Sequence, residues 1–404
     1  MIETFAITLL IAMVLIRALM PMSVHLGLVD APCVRKRHKG EVPLIGGLAI
    51  YATLVPMALT LSAWEANHGL WLIALGLPLL LIGLADDRWE VSTRMRFLVE
   101  IVCAVVAAVY CDVRLYDLGR LIPSFGGTLL VGGSLVLLSI PLTIVGMVGV
   151  INAINMTDGV DGLAGGLATL TFAGLAFLSY PSNLAVALQL LTFVAALMGF
   201  LYFNSRFFGR KRAAIFMGDG GSIFIGFALA WYLIMLSQGS NAVIRPVDAL
   251  WLVAVPLLDT ATIMTRRMRH GRSPFAADRE HFHHILLLSG FGANRTVLII
   301  LSAQLCCVLI AVASARAAVP EWFVFGLFLG LAAFYFGIMN FAWKVMKRVK
   351  HFREWAGFED RRSELSEGIG RSSGLDRRSA RSQVRAEATP VEDQSINRAT
   401  PTEV

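Results

Sequence analysis

Five acidic residues in this chain stand where acids are costly. Asp86 and Asp87 close one long apolar run in ADDRWEVSTRMR (residues 85–96). Asp158 and Asp161 lie between two others in NAINMTDGVDGLA (152–164), and Asp219 opens a further run in FMGDGGS (216–222). A carboxylate at the boundary of hydrocarbon is stable only when paired or metal-bound. Two more polar segments lie among the same runs, RKRHKGEVPLIGG (35–47) and DREHFHH (278–284). Carboxylates and cations sharing a site suit a divalent ion with a phosphorylated ligand, and oxygen donors favour magnesium or manganese.

The local spacings refine this. On a helix starting near Thr157, Asp158 and Asp161 share one face. Gly159 and Gly162 let backbone approach a ligand, whereas Gly165 and Gly166 read as helix packing. DGVDG is not a calcium loop, because the third acid and the terminal glutamate are missing. The glycines of FMGDGGS stand just before an expected helix start, where free amides can hold phosphate oxygens. His281, His283 and His284 lack the spacing of a helical zinc motif and have no cysteine nearby, so contact with phosphate or sugar is preferred.

Eleven long apolar runs must position these groups: 3–22, 44–63, 70–84, 98–111, 128–151, 163–180, 184–203, 222–237, 249–265, 296–315 and 320–343. The 404 residues are 56% hydrophobic and 16% charged, with a mean hydropathy of +0.68; a soluble domain carries about 25% charged residues. The runs are continuous rather than alternating, which excludes a membrane barrel and predicts an all-α polytopic membrane protein. Runs 70–84 and 98–111 are short and either tilt little or extend into their flanks. The first run has no basic segment before it and is read as a retained span. The five cysteines have neither disulfide nor zinc spacing.

Lys and Arg concentrate in alternate loops, those after spans one, three, seven and nine; the opposite loops carry only Arg114, Arg120, Arg245 and Arg316. The basic set is therefore cytoplasmic. That puts the N-terminus outside, the C-terminus in the cytoplasm and all the polar clusters on the cytoplasmic face. Residues 1–345 form the transmembrane domain, while 351–404, rich in Ser, Arg and Glu, reads as a disordered cytoplasmic tail.

The five clusters, in this order over nearly all of residues 1–345, resemble those of the polyprenyl-phosphate N-acetylhexosamine-1-phosphate transferases. The spacing His281-x-His283-His284, Arg267 ahead of it and VDAPCVRKRHKG (29–40) are similar to the bacterial undecaprenyl-phosphate N-acetylglucosamine-1-phosphate branch. The resemblance implies an Mg2+-dependent transfer (Mn2+ as substitute) of sugar 1-phosphate from a UDP-N-acetylhexosamine to undecaprenyl phosphate. The products are a lipid-diphosphate sugar and UMP, the first membrane step of an O-antigen-type envelope polysaccharide. It implies a metal site at Asp219, with Asn155 a ligand in some members. Asp161 would contact uracil and Asp158 the diphosphate; Asp86 and Asp87 would lie near the attacking phosphate and Arg96 would grip it. Asn204, Arg267, His281, His283 and His284 complete the substrate-binding set. The place implied is the bacterial inner membrane, with the bilayer and both substrates as partners, no nucleic acid, and a homodimer left open.

The chemistry is consistent with these roles. A phosphate monoester, with a second pKa of about 6, is mostly a dianion at neutral pH. It hardly needs a base, and an ordinary aspartate near 3.9 is a poor one. A direct displacement follows, with Asp87 assisting rather than forming a covalent intermediate. A sibling enzyme for another UDP-sugar is the near alternative. A transporter is the alternative of another class, but its acids would sit at mid-span. A CDP-alcohol phosphotransferase needs Ala-Arg after the first Asp-Gly pair, which is missing here, and a non-catalytic scaffold would release no UMP.

Overall fold

The computed structural model describes residues 1–30, 41–60, 68–122, 136–207, 209–240, 242–273 and 281–355. The segments 35–40 and 278–280 of the two basic clusters, and the tail from 356 onward, lie outside the described residues. The order is α1 (Ile2–Leu26), β1 (Val29–Asp30), β2 (Val42–Pro43), α2 (Gly46–Thr60), α3 (His68–Trp89), α4 (Thr93–Tyr110), α5 (Val136–Thr157), α6 (Leu163–Ser179) and α7 (Leu184–Asn204). It continues with α8 (Gly218–Met235), α9 (Pro246–Leu252), α10 (Ala254–Arg269), α11 (Phe282–Leu288), α12 (Ala293–Arg316) and α13 (Glu321–Trp355). The chain forms two units, Met1–Asn340 and Phe341–Val404. In the second, the described residues continue α13 to Trp355.

Each predicted span overlaps a helix, the ninth the pair α9 and α10, which are bent by 82°; positions 61–63 and 128–135 of the second and fifth runs lie outside the described residues. Among the described residues seven helices are long and apolar enough to cross a membrane, eight if that bent pair counts as one span. Helices α2 and α6 are shorter and apolar. The protein is an all-α polytopic membrane protein. The helices outrun the apolar runs at their polar ends. Helix α3 continues through Asp86 and Asp87, α4 starts early enough to include Arg96, and α5 runs through Asn152 and Asn155. Backbone hydrogen bonding does not stop where hydropathy does, so the short runs extend into their flanks.

Helix α8 is the central element, buried along nearly its whole length. Its first turn is crossed at van der Waals distance by two other helices. A Cβ at Gly47 on α2 would fall onto the backbone of Gly221, and one at Gly83 on α3 onto that of Gly220. Only glycine permits these crossings, which bring the ends of α2 and α3 against Asp219. The β1–β2 ribbon, antiparallel with Val29 opposite Pro43, leads into α2. There the Gly46 and Gly47 amides donate to the Phe216 and Met217 carbonyls at 3.0 and 2.9 Å.

Candidate active site

The ends of α3, α4, α5 and α8 converge on Asp219. Asn155 Nδ2 donates to Asp219 Oδ1 at 2.7 Å and to Ser222 Oγ at 2.9 Å. On the other side Arg96 Nη1 lies 2.7 Å from Asp86 Oδ2 and 3.5 Å from Asp219 Oδ2. Asp87 takes a different role from its neighbour: its carboxylate accepts the amides of Asp219 at 3.0 Å and of Gly220 at 3.4 Å. It caps α8 from a neighbouring helix. Two of the amides in the glycine segment expected to hold phosphate oxygens, those of Asp219 and Gly220, are therefore already occupied, and α8 begins at Gly218 rather than beyond the glycines.

The loop 158–162 is a turn, not the start of a helix. Helix α5 ends at Thr157, and α6 starts after Gly162, whose φ of 85° ends any continuous helix. Asp158 and Asp161 thus do not share a helix face. Asp161 Oδ2 pairs with Arg206 Nε at 2.6 Å and accepts the Ala213 amide at 3.1 Å. Asp158 faces the other acids. Burial, with the carboxylates of Asp219, Asp87 and Asp161 around it, pushes it up to about 7. The residue keeps solvent contact on one side, and the three carboxylates crowd it on the other. Asn204 is 6% exposed and braces this loop from below. Its Oδ1 accepts the Gly162 amide at 2.7 Å and its Nδ2 donates to the Ile215 carbonyl at 2.9 Å. Beyond Arg206 opens a cleft of about 480 Å³ lined by Arg206, Arg210, Lys211 and the first turn of α12.

The histidines reach the same loop from its far side. His283 is buried, and a Cβ at Gly159 would lie 2.6 Å from its Nε2. The rings of His281 and His283 stack at 5.6 Å, and His284 follows at 4.2 Å from His283. Burial and the neighbouring imidazoles of His284 and His281 push His283 down to about 3, against the pull of Asp259, so it is neutral. Arg267 lies buried in the last turns of α10.

The sequence profile of glycosyl transferase family 4 matches residues 70–237. The undecaprenyl-phosphate alpha-N-acetylglucosaminyl 1-phosphate transferase of Salmonella typhi is 38% identical over 335 residues, 82% of this chain and 89% of that protein. The proteins of the same name from Escherichia coli K12 and Haemophilus influenzae are 37% and 34% identical, over 81% and 87% of this chain and 88% and 97% of theirs. The chain belongs to glycosyl transferase family 4.

Several groups of this family 4 transferase escaped the sequence reading. Asp259 on α10 accepts from Phe282 N–H at 3.1 Å and Tyr335 O–H at 2.9 Å, and its Oδ2 lies 2.8 Å from His281 Nδ1. It thereby sets the His281 ring and the start of α11. Glu100, Ser222 and Arg206 are the others. For Asp259 and Glu100 the missed signal was an ionisable residue inside an apolar run, which marks function by default. In the transferase, Asp259→Ala should lower kcat/KM about 10- to 100-fold, the usual effect of removing a group that orients a functional histidine. The check is turnover per folded molecule; wild-type turnover would assign Asp259 to packing alone.

A magnesium ion fits the donor set. Among the described residues no three His, Cys, Asp or Glu side chains form a closed metal cage. Mg2+ does not need one, being held commonly by one or two carboxylates plus substrate phosphates. Asp219, with its side chain 37% exposed beside Asn155, offers that kind of open carboxylate.

Proposed function

We propose that the protein transfers N-acetylglucosamine 1-phosphate from UDP-N-acetylglucosamine to undecaprenyl phosphate, with UMP as the leaving product. The observation that carries this reading is the ring on Asp219, with Asn155 at 2.7 Å on one oxygen and Arg96 at 3.5 Å on the other. The names of the relatives support the choice of sugar and lipid.

Asp219, with Asn155, would hold Mg2+, and the ion would supply charge neutralisation for the phosphate oxygens and for the charge growing on UMP. Arg96, suspended between Asp86 and Asp219, receives the lipid phosphate. That phosphate is already largely a dianion at neutral pH, so no residue has to deprotonate it. Asp87 keeps Asp219 in place through the α8 amides. Asp161 with Arg206 takes the nucleotide end, and Asn204 holds the loop that carries Asp158 and Asp161. Arg267, His281, His283 and His284 take the sugar-phosphate side. We place the site at the cytoplasmic face of a bacterial inner membrane, the N-terminus outside and eleven crossings in all. This is because the Lys- and Arg-rich loops share a side and UDP-sugars are cytosolic. The product then starts an envelope polysaccharide of the O-antigen type.

The test is UMP release by purified protein given undecaprenyl phosphate and a panel of UDP-sugars. UDP-N-acetylglucosamine should be preferred; a preference for another UDP-hexosamine moves the reading to a sibling enzyme, and no UMP from any sugar overturns it. Chelation should abolish turnover, and Mg2+ or Mn2+ should restore it. The acid crowd adds a pH dependence. Asp158, raised to about 7, is mostly neutral below that pH and negative above it. Its charge then strengthens the field holding a cation beside Asp219. The Mg2+ concentration for half-maximal rate should fall between pH 6 and pH 8 in wild type and fall less in Asp158→Asn. Equal slopes in the two proteins would remove Asp158 from the metal's surroundings.

A further inference from the structure

Two polar side chains meet between α4 and α5, one turn deeper in the bundle than the groups on Asp219. Glu100 is 1% exposed, and its Oε2 accepts from Asn152 Nδ2 at 2.6 Å. The same amide donates to the Val148 carbonyl at 2.9 Å. Glu100 Oε1 is buried without a hydrogen-bond partner among the described residues. A carboxylate there is expensive in an apolar bundle. Aliphatic side chains would join the two helices at less cost.

The register of the pair shows what it can do. On α4, Arg96 precedes Glu100 by four residues; on α5, Asn155 follows Asn152 by three, so each couple lies one turn apart on one helix face. At about 1.5 Å rise per residue, Arg96 lies about 6 Å, and Asn155 about 4.5 Å, along the helix axes from the Glu100–Asn152 bond. Arg96 and Asn155 are the two groups that bracket Asp219, at 3.5 and 2.7 Å. A slip of α4 against α5 would change the spacing of Arg96 and Asn155 across Asp219, and the bond is placed to prevent it. We infer that Glu100 and Asn152 are positioning residues, whose hydrogen bond sets the separation of Arg96 and Asn155 across Asp219. The inference rests on the reading of Asp219 as metal site and Arg96 as lipid-phosphate site.

The experiment uses full-length protein in detergent with undecaprenyl phosphate and UDP-N-acetylglucosamine. It compares wild type, Glu100→Gln, Glu100→Ala, Asn152→Ala, the double alanine variant and Asp219→Ala. Glutamine keeps an acceptor oxygen for Asn152 but no charge, whereas alanine removes the bond. Glu100→Ala and Asn152→Ala should each lower kcat/KM about 10- to 100-fold. Both should raise the KM for undecaprenyl phosphate and the Mg2+ needed for half-maximal rate, with the KM for the UDP-sugar little changed. Glu100→Gln should stay close to wild type. The double variant should be no worse than the worse single, because both remove one interaction. Wild-type kinetics in Glu100→Ala overturn the inference. So does Glu100→Gln falling as far as Glu100→Ala, which would make charge rather than the bond responsible. A loss confined to yield or thermal midpoint, with unchanged kinetics per folded molecule, also overturns it. Activity in Asp219→Ala would instead overturn the underlying site reading, so the two failures are distinguishable.

Discussion

Asp219→Ala should lower turnover by about a thousandfold or more while the protein still folds and still binds to membranes. The expected size follows from three losses at one position. The carboxylate that holds Mg2+ disappears, and electrostatic stabilisation of this kind is worth about 10²–10³ in rate even for a single hydrogen-bond donor. Arg96 loses one of the two acids it is suspended between, and its remaining partner, Asp86 at 2.7 Å, draws it away from the site. Asn155 keeps Ser222 at 2.9 Å but no longer has a carboxylate to orient it. Folding should survive, because Asp87 caps α8 through the backbone amides of residues 219 and 220, which the substitution leaves in place. Asp219→Asn should recover little, since a neutral amide holds Mg2+ poorly. The assay is UMP release per folded molecule; turnover within tenfold of wild type would remove the metal from Asp219.

The second large effect is structural. Gly221→Ala should sharply reduce the folded population. The added methyl would lie 2.6 Å from Gly47 Cα and 2.6 Å from Met217 Cγ. The side chain could move, but the backbone of α2 could not without breaking the Gly46 and Gly47 hydrogen bonds to Phe216 and Met217. Overpacking of a core costs about 1–3 kcal/mol, and each hydrogen bond lost adds about 1 kcal/mol. Gly330→Ala on α13 is the matched control, because its Cβ would meet nothing within 4 Å. A lower thermal midpoint for the first variant and an unchanged one for the second is the expected pair. Equal midpoints would mean that α2 and α8 do not need their close crossing.

Much of this architecture was legible in the residue order. Apolar runs located the helices because a bilayer demands a long hydrocarbon-compatible segment with its own hydrogen bonds satisfied. Asp86, Arg96, Asn155 and Asp219 stood out because polar groups beside such runs need partners, and those partners proved to be one another. The helix ends were not legible, since Asp87 and Asn155 continue helices that hydropathy had already ended. Nor was the division of labour between adjacent acids: identical carboxylates at 86 and 87 face a guanidinium and a pair of amides. That depends on the helix phase of α3 against α8, which a string of letters does not contain. Asp259 and Tyr335 meet across 76 positions of sequence, and only the packed fold brings them together.

The most direct measurement of the central claim follows the phosphorus. UDP-N-acetylglucosamine labelled with ³²P at the β-position is incubated with the protein, undecaprenyl phosphate and Mg2+, and the organic and aqueous phases are separated. Transfer of sugar 1-phosphate at the Asp219 site predicts that the label moves into the lipid in step with the sugar, while unlabelled UMP stays in water. Label left in the aqueous phase as UDP, with sugar alone in the lipid, would contradict the account.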